Sequence, residues 1–354
     1  MPPHSGLLSP TALSRRLLTV LQLTRMALVF TAIADSQCEL LMYWATKGQW
    51  PPARLLVAMA IVSAGLYGFG MSLNDIIDRR RDAQIASTRP LPSGRIGLIA
   101  AHVICIGLVV AALAAGLYLA KEQPRRGWIS FALIVLTGGL ISFYDFAGKY
   151  LVGLGLVSLG LIRLFNSVIL APQIPVVWHP LWLLTHVTVL STVAYTWEQK
   201  RPALTKVHWW GVLGGVAVID LIAVACIGIA RYRPGRHPIL AALNVTPGLL
   251  LPIIATVAFV LLGWFLYSTT PTRRAAGQKL MLYGLLWLIL YDACFAAAYA
   301  VSAWAGVILL ALLPVAYFSV QLMRWWGKLL MISQRPQYVT APAGPRDTKA
   351  PGRG

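Results

Sequence analysis

Acidic residues are scarce in this 354-residue chain, with 11 Asp and Glu against 30 Lys and Arg. Charged residues of both signs make up only 12% of the sequence, whereas soluble domains usually carry about 25%. Hydrophobic residues account for 58% of it, and the mean hydropathy is +0.70. This composition excludes an ordinary water-soluble fold and predicts that the protein is embedded in a lipid bilayer.

Cysteine is also rare. The four cysteines, Cys38, Cys105, Cys226 and Cys294, lie in apolar stretches and lack metal-ligand spacing. We interpret them as small buried hydrophobic residues rather than disulfides or a zinc site. The six histidines are scattered. His186 lies within an apolar segment and could be a ligand, but its setting favours a hydrogen-bonded core histidine.

The scarcity of acids leaves a formal net charge of +19. In a soluble protein such a charge would suggest a nucleic-acid partner. Here the basic residues lie mostly between long apolar runs, where they determine topology and attract anionic lipid. We therefore expect membrane lipids as partners, no nucleic acid and no obligate protein partner.

Ten segments are apolar over the roughly 20 residues that a membrane span requires. They are 17–44, 54–73, 96–120, 128–144, 150–172, 180–197, 208–230, 243–268, 279–300 and 303–326. Almost nothing polar separates the last two, so the prediction is an all-α transmembrane bundle of nine or ten spans. Residues 1–333 are predicted to form one membrane domain. The basic, Pro/Gly-rich tail 334–354 is predicted to be disordered.

The distribution of Lys and Arg over the loops predicts the orientation in the membrane. With the N-terminus in the cytoplasm, the cytoplasmic loops carry more basic residues than the opposite loops, as the positive-inside rule requires. The expected location is the cell (inner) membrane, with the functional face in the cytoplasm.

The few acids are unevenly placed. Five of them fall at the ends of the second, fourth and sixth predicted spans, and all of these ends face the cytoplasm in the predicted topology. They are Asp75, Asp78, Asp82, Asp145 and Glu198. A chain that otherwise avoids carboxylates thus gathers them at one end of the predicted bundle, which indicates a functional site.

The densest group of acids has helical spacing. Asp75, Asp78 and Asp82 are three and four residues apart, so they share one face of a helix. Three such carboxylates repel one another unless a cation lies among them, and Mg²⁺ suits this role because it bridges carboxylates to substrate phosphates. Asn74 adds a neutral oxygen on the same face. The alternative is a solvated charge cluster in which Asp75 pairs with Arg79.

Two prolines and a glycine follow this group, in the stretch Ser-Thr-Arg-Pro-Leu-Pro-Ser-Gly-Arg at 87–95. They predict a non-helical turn between the second and third spans. Arg89 and Arg95 are placed to cap a cleft or to bind an anion. The alternative is an ordinary loop.

These residues resemble a known family, the UbiA-type superfamily of intramembrane prenyltransferases. The first signature of that superfamily, Asn-Asp-x-x-Asp-x-x-x-Asp, is matched in full at 74–82. The stretch at 89–94 is similar to the Arg-Pro-Leu-Pro-Ser-Gly of its chlorophyll-synthase-like branches, and 4-hydroxybenzoate polyprenyltransferases are a related branch. Tyr144-Asp145 with Lys149 resembles a Tyr…Lys element, and Arg163 and Asn166 resemble polar positions of the fifth helix.

One signature departs from the family pattern. The second acidic motif, Asp-x-x-x-Asp, would begin at Ala194, so its first acid is absent, and Glu198 replaces the second. The second metal would therefore have one ligand fewer. Lys200 and Arg201 follow directly and could neutralise a diphosphate, or they could serve topology alone.

The resemblance implies a Mg²⁺-dependent enzyme that moves an isoprenoid group from an allylic diphosphate to a small lipophilic or aromatic acceptor. The implied metal ligands are Asn74, Asp75, Asp78, Asp82 and Glu198. The implied catalytic residues are Asp145 and Lys149, with Asp145 as a metal ligand or as the base for the acceptor. The implied substrate-binding residues are Arg89, Lys149, Arg163, Asn166, Lys200 and Arg201.

Two other functions remain open at this point. The incomplete second signature is compatible with a non-catalytic isoprenoid-lipid transporter or scaffold of the same fold. A superfamily member could also transfer a phosphoribosyl unit to a polyprenyl phosphate, which would make the lipid the acceptor. The acceptor and the length of the isoprenoid do not follow from the sequence.

Overall fold

The computed structural model describes residues 10–122, 127–232 and 239–333. Over these ranges the chain is all α-helical and contains no β-strand, as predicted. The predicted tail at 334–354 lies outside the described residues. All four cysteines are free thiols: Cys38 and Cys105 are buried and Cys294 is half-buried, whereas Cys226 is exposed.

Thirteen helices make up the described part of the chain. They are α1 Pro10–Leu23, α2 Val29–Ala45, α3 Ala53–Ile85, α4 Leu98–Glu122, α5 Gly127–Phe143, α6 Val152–Val168, α7 Trp178–Trp197, α8 Lys206–Arg231, α9 Ile239–Ala242, α10 Leu250–Thr269, α11 Arg273–Tyr299, α12 Trp304–Leu310 and α13 Leu312–Ser333. A π-helical segment, Tyr144–Gly148, continues α5.

Seven helical segments in the described ranges are long and apolar enough to cross a membrane, so the protein is an integral membrane protein. They are Ala53–Ile85, Leu98–Glu122, Gly127–Gly148, Lys206–Arg231, Pro247–Thr269, Arg273–Tyr299 and Trp304–Trp326. An eighth results if Arg16–Leu23 and Met26–Ala45, bent by 64°, form one broken span. The predicted nine or ten spans are not confirmed, because α6 has only 17 residues and α7 carries two histidines and four threonines.

The interior of the bundle is formed mainly by α2, α3, α7 and α11. Their side chains are largely buried, whereas α4, α8 and α10 expose many large apolar side chains to the lipid. Small residues permit close packing of the helices: a Cβ on Gly65 of α3 would lie 2.7 Å from the carbonyl oxygen of Leu108 in α4.

A break separates α1 from α2 at Arg25. This residue has φ +46° and ψ +37°, the left-handed conformation, which is unfavourable for a residue with a Cβ. The 64° bend at this break replaces the single long first span that the apolar run 17–44 predicted. Strained backbone of this kind often occurs where it serves a site, and here it lets the Arg25 side chain reach α3.

Candidate functional site

The last turns of α3 carry the predicted acids. Asp75 and Asp82 are buried, and the Asp78 side chain is 15% exposed. Because they are three and four residues apart on a continuous helix, their carboxylates share one face. This acid face lies in the part of the bundle where α3, the π-helical segment and the turn after α3 meet.

Each of the three acids of α3 contacts a cationic side chain from another segment. Arg25 Nη2 donates to Asp75 Oδ1 at 3.1 Å. Arg89 Nη1 donates to Asp82 Oδ2 at 2.5 Å and lies 3.7 Å from Asp75 Oδ1.

The third pair comes from the segment before α6. Lys149 Nζ donates to Asp78 Oδ1 at 2.7 Å. The structure thus brings Arg89 and Lys149, two of the predicted substrate-binding residues, to the acid face. Arg25 joins them from the break before α2.

The proline-containing turn holds Arg89 in this position. The Ser93 hydroxyl and amide both donate to the Arg89 carbonyl oxygen, and Gly94 adopts φ +70°, which a residue with a Cβ would avoid. Arg95 Nη1 donates to Gln22 Oε1 at 2.6 Å, so the turn is fixed to α1. Partial burial lowers the pKa of the Arg95 guanidinium from its ordinary value, and it remains a hydrogen-bond donor.

Asp145 joins the cluster from the π-helical segment, where it is 2% exposed. The Asn74 amide lies 3.2 Å from Asp78 Oδ2 and 3.1 Å from Asp145 Oδ1, and it donates to both in the orientation that satisfies its hydrogen bonds. In that orientation its oxygen points away from the acids, so its predicted role as a metal ligand would require the amide to turn. The cluster therefore contains four carboxylates and three cations.

The structure does not bring Arg163 and Asn166 to this cluster. Arg163 Nη1 donates to Asp35 Oδ2 at 2.8 Å, and Asn166 Nδ2 donates to the Ala32 carbonyl oxygen at 2.8 Å. Helix α6 begins at Val152, just after the segment that carries Lys149. With a rise of 1.5 Å per residue, Arg163 lies about 16 Å further along the helix from Val152. Both side chains attach α6 to α2 in the interior of the bundle.

Glu198, Lys200 and Arg201 lie at the C-terminal end of α7. Lys200 Nζ is 3.2 Å from Glu198 Oε2, and Arg201 is exposed. Tyr195, one turn before Glu198, interacts electrostatically with Arg81 at the end of α3. This end of α7 is therefore near the acid face, although no ion pair among the described residues joins Glu198 to the acids of α3.

Sequence reasoning missed two features. Arg25 is a lone cation in an apolar run, which is a signal of function in a membrane helix. The second is a polar cluster in the opposite half of the bundle, where His179 contacts Glu39 and Asp292, each at 2.8 Å. His186, by contrast, is the predicted core histidine, with its Nε2 3.1 Å from the Gly284 carbonyl oxygen.

A cavity of about 1000 Å³ lies between α7, α8, α10 and α11. Aromatic residues such as Trp178, Trp197 and Phe259 line it together with aliphatic side chains, and its few polar groups include Thr185 and Asp220. None of the predicted site residues lines this cavity, so it is separate from the acid face.

The fold and the cluster define a polytopic helical membrane protein with a group of paired acidic and basic side chains at one end of its inner helices. The sequence model of the UbiA prenyltransferase family matches residues 38–289, which is most of the chain. The protein belongs to the UbiA prenyltransferase family.

Two curated relatives match parts of the chain. Digeranylgeranylglyceryl phosphate synthase of Sulfurisphaera tokodaii is 29% identical over 132 residues, which is 32% of this chain and 47% of that protein. Protoheme IX farnesyltransferase 1 of Shewanella sp. is 36% identical over 91 residues, 24% of this chain and 28% of that protein. The chain thus spans about half and about a quarter of these relatives' lengths.

A solved structure of digeranylgeranylglyceryl phosphate synthase shares the fold. It superposes with a TM-score of 0.52 over 80% of this chain and 98% of that chain, at 18% identity. The likeness supports the arrangement of the helices and is too distant in sequence to transfer an activity.

Proposed function

We propose that the protein transfers an isoprenoid group from an allylic diphosphate to a lipophilic acceptor in the membrane, and that the reaction depends on Mg²⁺. The observation that carries this proposal is the cluster of four carboxylates and three cations around the end of α3. The names of both curated relatives, a digeranylgeranylglyceryl phosphate synthase and a protoheme IX farnesyltransferase, point to the same class of enzyme.

The donor set of the cluster fits Mg²⁺. Mg²⁺ prefers oxygen ligands and is usually bound by one or two carboxylates together with substrate phosphates. Asp75, Asp78 and Asp82 would hold it, and Asn74 and Glu198 are further candidate ligands. When bound, the ion supplies positive charge that stabilises the departing diphosphate.

The cations of the cluster are positioned to change partners when substrate binds. Arg25, Arg89 and Lys149 neutralise carboxylates in this structure. Once a divalent ion occupies those carboxylates, Arg89 and Lys149 can donate to the diphosphate oxygens instead, and charge-assisted hydrogen bonds of this type are strong. Lys200 and Arg201 would add positive charge from the end of α7.

Asp145 is the candidate base for the acceptor. In the proposed reaction, the bond between the allylic carbon and the diphosphate oxygen breaks, and the electron pair leaves with the diphosphate. The acceptor atom then forms a bond to the allylic cation, and Asp145 takes the proton that the acceptor loses. The apolar helices around the substrate would protect the allylic cation from water.

Removal of metal is the first test. Purified protein, incubated with prenyl diphosphates of several lengths and a membrane-lipid extract, is expected to form products heavier by the whole prenyl group of the donor used. EDTA should abolish the reaction and excess Mg²⁺ should restore it, because the ion would stabilise the negative charge on the departing diphosphate.

Full transfer in metal-free buffer would contradict the role of Mg²⁺. In a parallel reaction with phosphoribosyl diphosphate and a polyprenyl phosphate, a product that carries a phosphoribosyl unit would identify the alternative reaction. Prenyl-lipid binding without any turnover would identify a carrier of the same fold.

We further propose that the protein lies in the cell (inner) membrane with the acid face in the cytoplasm. In a Cys226→Ser background, Gln84→Cys should react with an impermeant maleimide in inside-out vesicles, because Gln84 is exposed near the end of α3. Lys47→Cys, exposed after α2, should react in right-side-out vesicles. Labelling of both residues from one side would contradict the arrangement of α2 and α3, and the reverse pattern would place the acid face outside.

A further inference from the structure

A second polar cluster lies in the half of the bundle opposite the acid face. Cys38 and Glu39 of α2, His179 of α7 and Asp292 of α11 all have a relative exposure of 0%. His179 is near the start of α7 and Glu198 follows its end, so the two are about 28 Å apart along the helix axis. The proposed reaction does not use this cluster, which is independent of the acid face.

The contacts within the cluster place three types of metal-binding atom close together. His179 Nδ1 is 2.8 Å from Glu39 Oε2, and Nε2 is 2.8 Å from Asp292 Oδ1. The Cys38 thiol donates to the Asp292 carbonyl oxygen at 3.2 Å. Candidate ligand atoms of Cys38, His179 and Asp292 all lie within 4.8 Å of one another. Ligands about 2.0–2.3 Å from a tetrahedral ion lie about 3.3–3.8 Å apart, so side-chain movements of roughly 1 Å would bring these atoms into place.

Buried carboxylate oxygens in this cluster lack hydrogen-bond donors. Among the described residues, Asp35 Oδ1, Glu39 Oε1 and Asp292 Oδ2 are buried without a partner. The Asp35 and Asp292 carboxyl groups are also within hydrogen-bond distance of each other, which requires a proton on one of them or a cation beside them. Burying such oxygens unpaired is costly, so the cluster needs either a proton between Asp35 and Asp292 or a positively charged ligand among the three oxygens.

The charged side chains around the cluster do not supply donors for all of these carboxylate oxygens. Arg163 pairs with Asp35, and Arg231 interacts electrostatically with Glu39. A protonated His179 would balance the remaining charge. Its two N–H groups, however, would donate to Glu39 Oε2 and Asp292 Oδ1, so Glu39 Oε1 would stay unpaired, and the Asp35 and Asp292 carboxylates would still meet with neither a proton nor a cation between them.

We propose that Cys38, His179 and Asp292 bind a divalent transition-metal ion of the zinc class. Thiolate, imidazole and carboxylate together are a donor set that favours Zn²⁺ over Mg²⁺. On binding, the ion would displace two protons to solvent, the Cys38 thiol proton and the proton between His179 Nε2 and Asp292 Oδ1. His179 Nδ1–H donates a hydrogen bond to Glu39 Oε2, which fixes the ring tautomer, as carboxylates beside metal-bound histidines commonly do. The ion thereby joins α2, α7 and α11.

The test is Zn²⁺ binding by the full-length protein, stripped of metal and kept in excess Mg²⁺ so that the acid face is occupied. The parent is expected to bind one Zn²⁺ that resists Mg²⁺ competition, and Cys38→Ser and His179→Gln are expected to lose it. Glu39→Gln should weaken binding by about 10–100-fold.

Two matched controls separate loss of ligands from general damage. Cys105→Ser changes another buried cysteine, and His186→Gln changes another buried histidine of α7. Both should bind Zn²⁺ as the parent does.

A measurement on the parent protein guards against variants that fail to fold. Co²⁺ should give a thiolate-to-metal absorption band that Zn²⁺ abolishes and that persists in Cys226→Ser, whose thiol is exposed. Absence of both the band and Mg²⁺-resistant Zn²⁺ would overturn the proposal, as would parent-like binding by Cys38→Ser and His179→Gln. The cluster would then be a hydrogen-bonded core. These readouts do not depend on prenyl transfer, so the two proposals can fail separately.

Discussion

Asp78→Asn is expected to lower the rate of prenyl transfer by about 10²–10³-fold, the usual cost of removing one charge-stabilising group from an active site. The substitution keeps the size of the side chain and one oxygen but removes the charge that would hold Mg²⁺. It also releases Lys149, whose Nζ is 2.7 Å from Asp78 Oδ1. The measurement is the initial rate with a prenyl diphosphate at several Mg²⁺ concentrations.

Glu122→Gln is the matched control for this prediction. It makes the same acid-to-amide change at the end of α4, where Glu122 pairs with Arg54 at 3.1 Å, and it should leave the rate near that of the parent. An Asp78→Asn rate equal to that of Glu122→Gln would show that the acids of α3 do not bind the catalytic ion.

Glu198→Gln should cost nearly as much as Asp78→Asn and should raise the Mg²⁺ concentration needed for half-maximal activity. The second family signature has two acids. In this chain Ala194 stands where the first acid would be, so Glu198 is the only acid of that signature that remains. Tyr195, one turn earlier, interacts electrostatically with Arg81 of α3, so this end of α7 lies near the proposed Mg²⁺ site. We expect a loss on the order of 10²–10³-fold.

Lys200→Met distinguishes metal binding by Glu198 from a simple ion pair between Glu198 and Lys200. It removes the partner of Glu198 but keeps the acid, and a partly exposed pair contributes only about 0–1 kcal/mol. Because Lys200 is also a candidate diphosphate contact, the readout is the Mg²⁺ dependence rather than the rate: if Glu198 serves only to pair with Lys200, neither variant will change it. If Glu198 binds metal, only Glu198→Gln will change the Mg²⁺ dependence.

The packing of α7 argues against restoring the missing acid at Ala194. By the family signature alone, Ala194→Asp would restore the missing acid and would be expected to strengthen Mg²⁺ binding. Ala194 is fully buried, however, and its carbonyl oxygen would lie 3.1 Å from a Cβ placed on Gly277 of α11. An aspartate there would be buried against α11, which destabilises the protein unless the charge is paired.

The number of membrane spans could not be predicted well from the sequence, because hydropathy does not show how the helices pack against one another. The run 17–44 is continuous in composition but bends by 64° around Arg25. The 17-residue α6 and the polar α7 lie inside the bundle, where neighbouring helices satisfy groups such as Arg163 and His179. Such helices need not be long or uniformly apolar, so their number cannot be read from composition.

The sequence by itself determined the membrane location, the all-helical fold and the acid face of α3. These properties depend on composition and on spacing within one helix, which local geometry alone controls. Only the tertiary structure decided which cations meet those acids, that Arg163 pairs with Asp35, and that Cys38, His179 and Asp292 converge. Those contacts join helices far apart in the sequence, and their formation depends on how apolar faces pack, so no local pattern encodes them.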